Sequence, residues 1–194
     1  MSSLRIIAGD HKGKKIPFTN QKFNQARITS QKLKGALFSL LGEDLTGKSF
    51  FDLYAGSGQI SFEAISRKAN LIILNEKDLK RYNYLKKTIS IFPNQSQVKI
   101  FNEDCLKLLP FLEKKQFKAD YLFLDPPYQK NRSDFTYYAK IMERISFFDI
   151  SNNDSLIIIQ HDTSNKPLVT LEPFKLFKTK RFGNSSLAIY HKNN

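Results

Sequence analysis

Asp125-Pro126-Pro127-Tyr128 follows directly on the apolar run Tyr121–Leu124, and its residue types define a narrow chemistry. Two consecutive prolines contribute carbonyls and no N–H groups, so the segment offers hydrogen-bond acceptors only. Together with the Asp125 carboxylate it can accept both hydrogens of an exocyclic amine. Such an amine is conjugated with its ring and weakly nucleophilic. Gripping both N–H groups favours a pyramidal nitrogen whose lone pair can point at a methyl group. Tyr128 adds an aromatic face on which an unstacked base can rest, a contact worth about 1–3 kcal/mol. The base has to leave its stack to reach these acceptors. The plainer reading is an extended turn closing a strand, for which Asp-Pro is well suited.

A second chemical segment lies upstream: Phe50-Phe51-Asp52-Leu53-Tyr54-Ala55-Gly56-Ser57-Gly58-Gln59-Ile60-Ser61. Small residues between a strand and a helix let a ligand approach the backbone at the strand's carboxyl end. Taken alone, the segment is equally a tight strand-to-helix turn. Its neighbours discriminate between ligands. The dinucleotide fingerprint has a third glycine and a helix N-terminus facing a pyrophosphate, but here Ser61 holds that position. Asp52 places a negative charge just before the turn, which opposes a diphosphate and favours a ligand bearing an ammonium or sulfonium. S-adenosylmethionine is such a ligand. Glu76 lies 18 residues after Gly58, the spacing of a carboxylate that accepts from both ribose hydroxyls. Asp104 is positioned to accept from an adenine amine, with Cys105 beside it. Ala55, Gly56, Ser57, Gly58 and Lys77 complete the expected cofactor pocket. Each acid, taken singly, is also a plausible helix cap or surface group; together they end successive elements on one sheet edge.

These segments require strands that end at a common edge. Leu4–Ala8 and Lys14–Phe18 read as two short strands around the Gly9–Gly13 turn, followed by a polar loop from Thr19 to Ile28. Thr29 or Ser30 caps a helix with Leu33, Leu37, Leu40 and Leu41 on one face, ending at Gly42. From Ser49 onward, strands and helices alternate. The strands are Ser49–Leu53, Leu71–Asn75, Val98–Phe101, Tyr121–Leu124 and Leu156–Gln160. Between them come helices Gly58–Lys68, Leu79–Ile91, Cys105–Glu113, with a kink at Pro110, and Phe135–Phe147. Short apolar strands separated by helices mean an α/β fold, a parallel sheet covered on both faces. Phe174–Phe182 and Ser185–His191 flank Gly183-Asn184 and read as an antiparallel hairpin.

The 194 residues predict one domain with at most a small appendage, and 17 Phe with 8 Tyr supply bulky core material, excluding intrinsic disorder. Purely aliphatic runs reach four residues, too short to span a bilayer, and Met1–Asp10 lacks a signal peptide's apolar stretch. Cys105 is the sole cysteine and the three histidines have no zinc spacing. Neither an internal disulfide nor a metal is expected, and the setting is a reducing, cytoplasmic one. The net charge is +13, of which residues 1–35 contribute +7, with a second cluster at Lys175, Lys178, Lys180 and Arg181. Clustered cations release counterions from nucleic acid, the expected partner; a merely solvated basic face is the alternative.

With both motifs in place, the chain resembles the bacterial 16S ribosomal RNA guanine-N2 methyltransferase family of RsmD type. The resemblance runs through Arg5-Ile6-Ile7-Ala8-Gly9, Lys12-Gly13-Lys14-Lys15, Arg27-Ile28-Thr29-Ser30, Ala36-Leu37-Phe38, the glycine turn, Phe62-Glu63-Ala64, Glu76-Lys77-Asp78, Asp125–Tyr128 and Arg181-Phe182-Gly183. It implies a Rossmann-like S-adenosylmethionine-dependent methyltransferase fold, with a seven-stranded, mostly parallel sheet and an antiparallel C-terminal hairpin. It implies methylation of one guanine amine in small-subunit rRNA, within the ribosomal subunit or an assembling particle. It assigns Arg5, Lys12, Lys14, Lys15 and Arg27 to RNA contact, so that residues 1–28 form a basic appendage to a methyltransferase domain, 29–194. Ile28, Gln31, Gly35 and Gln160 depart from the family pattern, in the entry loop, the following helix and the end of the fifth strand. Two other functions fit the same residues: an amino-methyltransferase acting on DNA adenine or protein glutamine, and a non-catalytic RNA-binding assembly factor.

Overall fold

The structure, a computed structural model, describes residues 3–18, 29–93, 95–127 and 135–192. The expected loop from Thr19 to Ile28, with Arg27, lies outside the described residues, as does Tyr128. The chain divides into two compact units, Met1–Glu103 and Asp104–Asn194.

The first unit opens with β1 (Ser3–Arg5) paired antiparallel to β2 (Lys15–Pro17). Both strands are shorter than their sequence suggests. The reason lies in Glu63, whose carboxylate takes the N–H groups of Ile7 (3.0 Å) and Ala8 (2.9 Å) and so diverts them from the ladder. Helix α1 (Gln31–Leu41) begins at Ser30, whose hydroxyl accepts from Leu33 N, and stops at Gly42. β3 (Ser49–Asp52), α2 (Gln59–Ser66), β4 (Leu71–Asn75), α3 (Leu79–Ile89) and β5 (Val98–Phe101) then alternate as the sequence predicts. Their strands lie in the order β5-β4-β3, all parallel, with Asp52 opposite Leu74 and Asn75 opposite Phe101. That register brings the carboxyl ends of all three strands to one edge. Phe50, Phe51, Ile72, Ile73 and Leu74 are buried, and Phe38 of α1 stacks on Phe50 at 6.1 Å.

Glu63 is the polar centre of this unit. Besides its two backbone donors, it pairs with Lys34 Nζ (3.2 Å) and Arg67 Nη2 (3.1 Å), and all three side chains are buried. Lys34 also donates to the Arg5 carbonyl, so a lysine counted in the basic N-terminal excess is an internal ion-pair partner. Burial pulls its pKa below the usual lysine value despite the neighbouring carboxylate. Gly9 approaches α2 so closely, at φ +79°, that a Cβ there would collide with the Ser66 carbonyl. The hairpin turn is further held by Phe92, which meets the His11 ring at 5.1 Å and the Lys14 ammonium at 4.8 Å.

In the second unit, α4 (Cys105–Lys114) continues through Pro110, and β6 (Ala119–Leu124) leads to α5 (Phe135–Phe147). β7 runs over Ser151–Asp162, five residues earlier at its start than the apolar pattern indicates. Ser151 pairs with Ala119 across a register irregularity, and that early pairing carries no apolar signal. β9 (Phe174–Phe182) and β10 (Ser185–Lys192) form the expected hairpin, and a two-residue strand β8 (Thr170–Leu171) borders β9. The order is β6-β7-β10-β9-β8, parallel between β6 and β7 and antiparallel after that. From β3 onward the strands are the seven expected and the short β8. Among the described residues no helix is long and apolar enough to cross a membrane.

Candidate active site

At the end of β3, the Asp52 carboxylate is fully buried. Ser61, the residue in the third glycine position, donates its hydroxyl to Oδ2 at 2.6 Å. Oδ1 is buried without a hydrogen-bond partner. Burial pushes this carboxyl up to about 7, against the opposing effect of the Ser61 hydroxyl. Gln59, the first residue of α2, donates its amide to the Thr29 carbonyl (2.6 Å), while its own side-chain oxygen is buried and unpartnered. An orphaned buried acceptor is costly unless a ligand supplies the donor or the positive charge. Sequence reasoning missed Gln59, which reads only as the start of a helix.

The turn itself is built for backbone approach. Gly56 sits at φ +54° with open space where a Cβ would project, its nearest neighbour there being the Tyr54 carbonyl at 3.8 Å. Gly58, at φ +74°, caps α2, and a Cβ would strike Leu85 and Phe62. The two glycines therefore have different jobs, one leaving room and the other allowing close packing. Ser57 is buried between them and Ala55 just before them, and Ala55 N bonds to the Asn75 carbonyl at 2.9 Å.

Glu76 is fixed to this turn. Its Oε2 accepts from Gly56 N (2.9 Å), its Oε1 accepts from Asp78 N (2.8 Å), and Arg81 Nε lies 3.2 Å from Oε1. Two asparagines tie the strand ends together. Asn75 donates to the carbonyls of Leu53 and Glu103 and accepts from Glu103 N. Asn102 donates to the carbonyls of Glu76 and Lys77, while the Lys77 side chain is exposed. Asn75, Asn102 and Arg81 were not singled out from sequence; adjacency of Asn75 to Glu76 was the only available signal.

In the second unit, Asp104 is the N-cap of α4 and accepts from Leu106 N at 3.0 Å, the helix-cap role left open above. Cys105 is a buried thiol. Asp125 is half-buried, Pro126 buried and Pro127 exposed. Leu124 pairs with Ile159, so the next residues along the two parallel strands are Asp125 and Gln160. The Gln160 side-chain oxygen is buried with no partner, adding an orphan acceptor beside a segment that already offers only acceptors. Of the residues assigned to RNA, Arg5, Lys12 and Lys15 are exposed, whereas Lys14 donates to the Ile91 carbonyl at 2.9 Å. No cluster of three or more potential metal ligands occurs among the described residues.

Solved structures share this fold. The Escherichia coli protein yhhF, assigned as a methyltransferase, matches with a TM-score of 0.81 at 21% identity, over 100% of this chain and 99% of its own. SMU.776, also assigned as a methyltransferase and solved in complex with SAH, gives 0.69 at 10% identity, over 84% of this chain and 50% of its own. The fold is that of the Rossmann-like S-adenosylmethionine-dependent methyltransferases. The orphaned Asp52 oxygen and the space at Gly56 fit such a cationic ligand.

The family described as conserved hypothetical protein 95 matches residues 4–191. Ribosomal RNA small subunit methyltransferase D of Haemophilus influenzae is 32% identical over 190 residues, 96% of this chain and 93% of that protein. The chain belongs to this family and is of RsmD type.

Proposed function

We propose that this protein methylates the exocyclic N2 amine of one guanine in 16S rRNA, within the small ribosomal subunit or a particle assembling into it. The observation that carries this reading is the acceptor-only Asp125-Pro126-Pro127 segment leaving β6, in a chain related to a small-subunit rRNA methyltransferase. Guanine N2 bears two hydrogens, which the Asp125 carboxylate and a proline carbonyl accept, while Tyr128 stacks on the extruded base. S-adenosylmethionine held there would supply a methyl carbon on a sulfonium, and transfer to the nitrogen would make the N–C bond as the C–S bond broke, leaving the electron pair on sulfur. The methylated nitrogen is acidic, and Asp125 takes its surplus proton and passes it to water. Much of the rate comes from holding the nitrogen in line with the methyl carbon.

Asp52, Ala55, Gly56, Ser57, Gly58, Glu76, Lys77, Asp104 and Cys105 form the cofactor pocket in this reading, with Asp52 facing positive charge and Glu76 the ribose. The basic segment 1–28 contacts RNA through Arg5, Lys12, Lys14, Lys15 and Arg27, with Lys14 also holding the hairpin through the Ile91 carbonyl. Incubating the protein with S-adenosylmethionine and unmodified small subunits, then digesting the RNA to nucleosides, is expected to yield N2-methylguanosine. Methylated adenosine, or methyl groups found only in DNA or protein, would overturn the assignment.

Asp52 makes cofactor binding pH-dependent. With its carboxyl raised to about 7, the free site is half protonated at neutral pH, and a cationic ligand selects the ionised form. Binding is therefore expected to release a proton and to tighten as pH rises from about 6 to about 8. In Asp52→Asn that dependence should vanish. Calorimetric titration in buffers of different ionisation enthalpy checks both statements, and identical pH profiles for the two proteins would remove Asp52 from the contact.

A further inference from the structure

The second basic cluster found in the sequence falls on β9, a strand the reading above leaves unused. β8 pairs only with its first two residues, through Thr170 to Lys175 and Leu171 to Phe174. Beyond Leu176, which donates its N–H to the Val169 carbonyl, the outer side of β9 is the edge of the sheet. Lys175 and Lys178 are exposed and Lys180 half-buried, and no ion pair or side-chain hydrogen bond engages them among the described residues. Arg181 is turned back on the hairpin, donating to the Gly183 carbonyl at 3.2 Å.

Lysines on an edge strand have an ordinary use: they discourage pairing with another chain. That use does not account for Phe177. Ile189 pairs with Lys178 and Tyr190 with Leu176, so Phe177 is the extra residue of a β-bulge, opposed by nothing on β10. Bulges re-aim side chains, and this one leaves a phenyl ring 65% exposed between Lys175 and Lys178. Val169 nearby is 68% exposed. A strand blunted against aggregation would not present an aromatic ring at its edge. Cations interleaved with an exposed aromatic are what a single-stranded nucleic acid needs, the former for phosphates and the latter for a base face.

We infer that the β9 edge is a second RNA-contacting surface, with Lys175, Lys178 and Lys180 on phosphates and Phe177 stacked on an unpaired base. This rests on RNA being the substrate, as proposed above. The β10 side of the strand is already covered by the ladder, so the RNA runs along the open side. A second copy of this chain pairing edge to edge is the competing occupant.

The test uses the intact protein, purified 16S rRNA as the probe, and two variants: Phe177→Ala and the triple Lys175→Gln, Lys178→Gln, Lys180→Gln. Each lost phosphate contact should lower the slope of log affinity against log salt by about 0.7, so the triple variant should flatten it by about 2. At about 0.1 M salt the corresponding weakening is about a hundredfold. Phe177→Ala should weaken binding about tenfold with the slope unchanged. S-adenosylmethionine affinity, measured by calorimetry, should match the parent in both variants and so report intact folding. Unchanged RNA affinity and slope would overturn the inference, as would a shift from dimer to monomer in Phe177→Ala without loss of RNA binding. The two readings fail separately. Methyl transfer by the parent with unaffected variants sinks the β9 surface alone, whereas weakened variants of a parent that binds rRNA but never methylates it sink the methylation reading alone.

Discussion

Asp125→Ala is expected to slow methyl transfer about a thousandfold while leaving S-adenosylmethionine affinity within about twofold of the parent. The magnitude follows from removing one preorganised polar group from the reacting atoms, which typically costs 10²–10³ in rate, about 2.7–4 kcal/mol of barrier. Here the group has two duties, gripping an N–H and accepting the proton shed afterwards, which places the loss at the upper end. Asp125→Asn keeps a carbonyl acceptor but presents two donors towards the target amine, and should fall between parent and alanine variant. Single-turnover assays on small subunits give the rate, and calorimetry gives the affinity. A loss of cofactor affinity in proportion to the loss of rate would place Asp125 in the cofactor pocket instead of on the target amine.

Glu63→Ala should destabilise the protein by about 3–5 kcal/mol, a large part of a typical domain's total. The substitution leaves Lys34 and Arg67 buried without their shared anion and deprives the Ile7 and Ala8 N–H groups of acceptors. Lys34 already has a lowered pKa, and losing the carboxylate would lower it further. The unfolded variant then binds more protons than the folded one below the ordinary lysine range, so its stability should recover as pH rises toward that range. Urea unfolding at several pH values measures both effects. Hydrogen exchange should show the Ile7 and Ala8 amides exchanging faster, and a loss below about 1 kcal/mol would mean that the charges are relieved by water.

Much of this fold was readable because local signals agreed with the tertiary solution. Ser30 and Gly42 bound α1 where capping chemistry says they should, and the strands β3 and β4 are apolar runs that a parallel sheet buries on both faces. The departures share one cause, partners distant in sequence. Ile7 and Ala8 have strand-like side chains, yet their amides are claimed by a carboxylate more than fifty residues away, which shortens β1. β7 begins at polar Ser151 because Ala119 lies beside it. In the candidate site, Asp52 and Glu76 stand where their spacing put them, Asp52 ending β3 and Glu76 directly following β4. Gln59, Asn75 and Asn102 act through bonds to backbone that leave no periodic trace. The raised pKa of Asp52 was likewise invisible, because burial is a property of the fold and not of the residue.

The anchoring of the first hairpin by Glu63 imposes an order of events during synthesis. Ile7 and Ala8 are polymerised 56 and 55 residues ahead of the side chain that receives them. At about 5–20 residues per second this is a delay of roughly 3–11 s. A lone two-stranded hairpin is marginal in water, so the nascent hairpin has no settled conformation in that interval. The place of this hairpin is thus decided by a helix translated seconds after it.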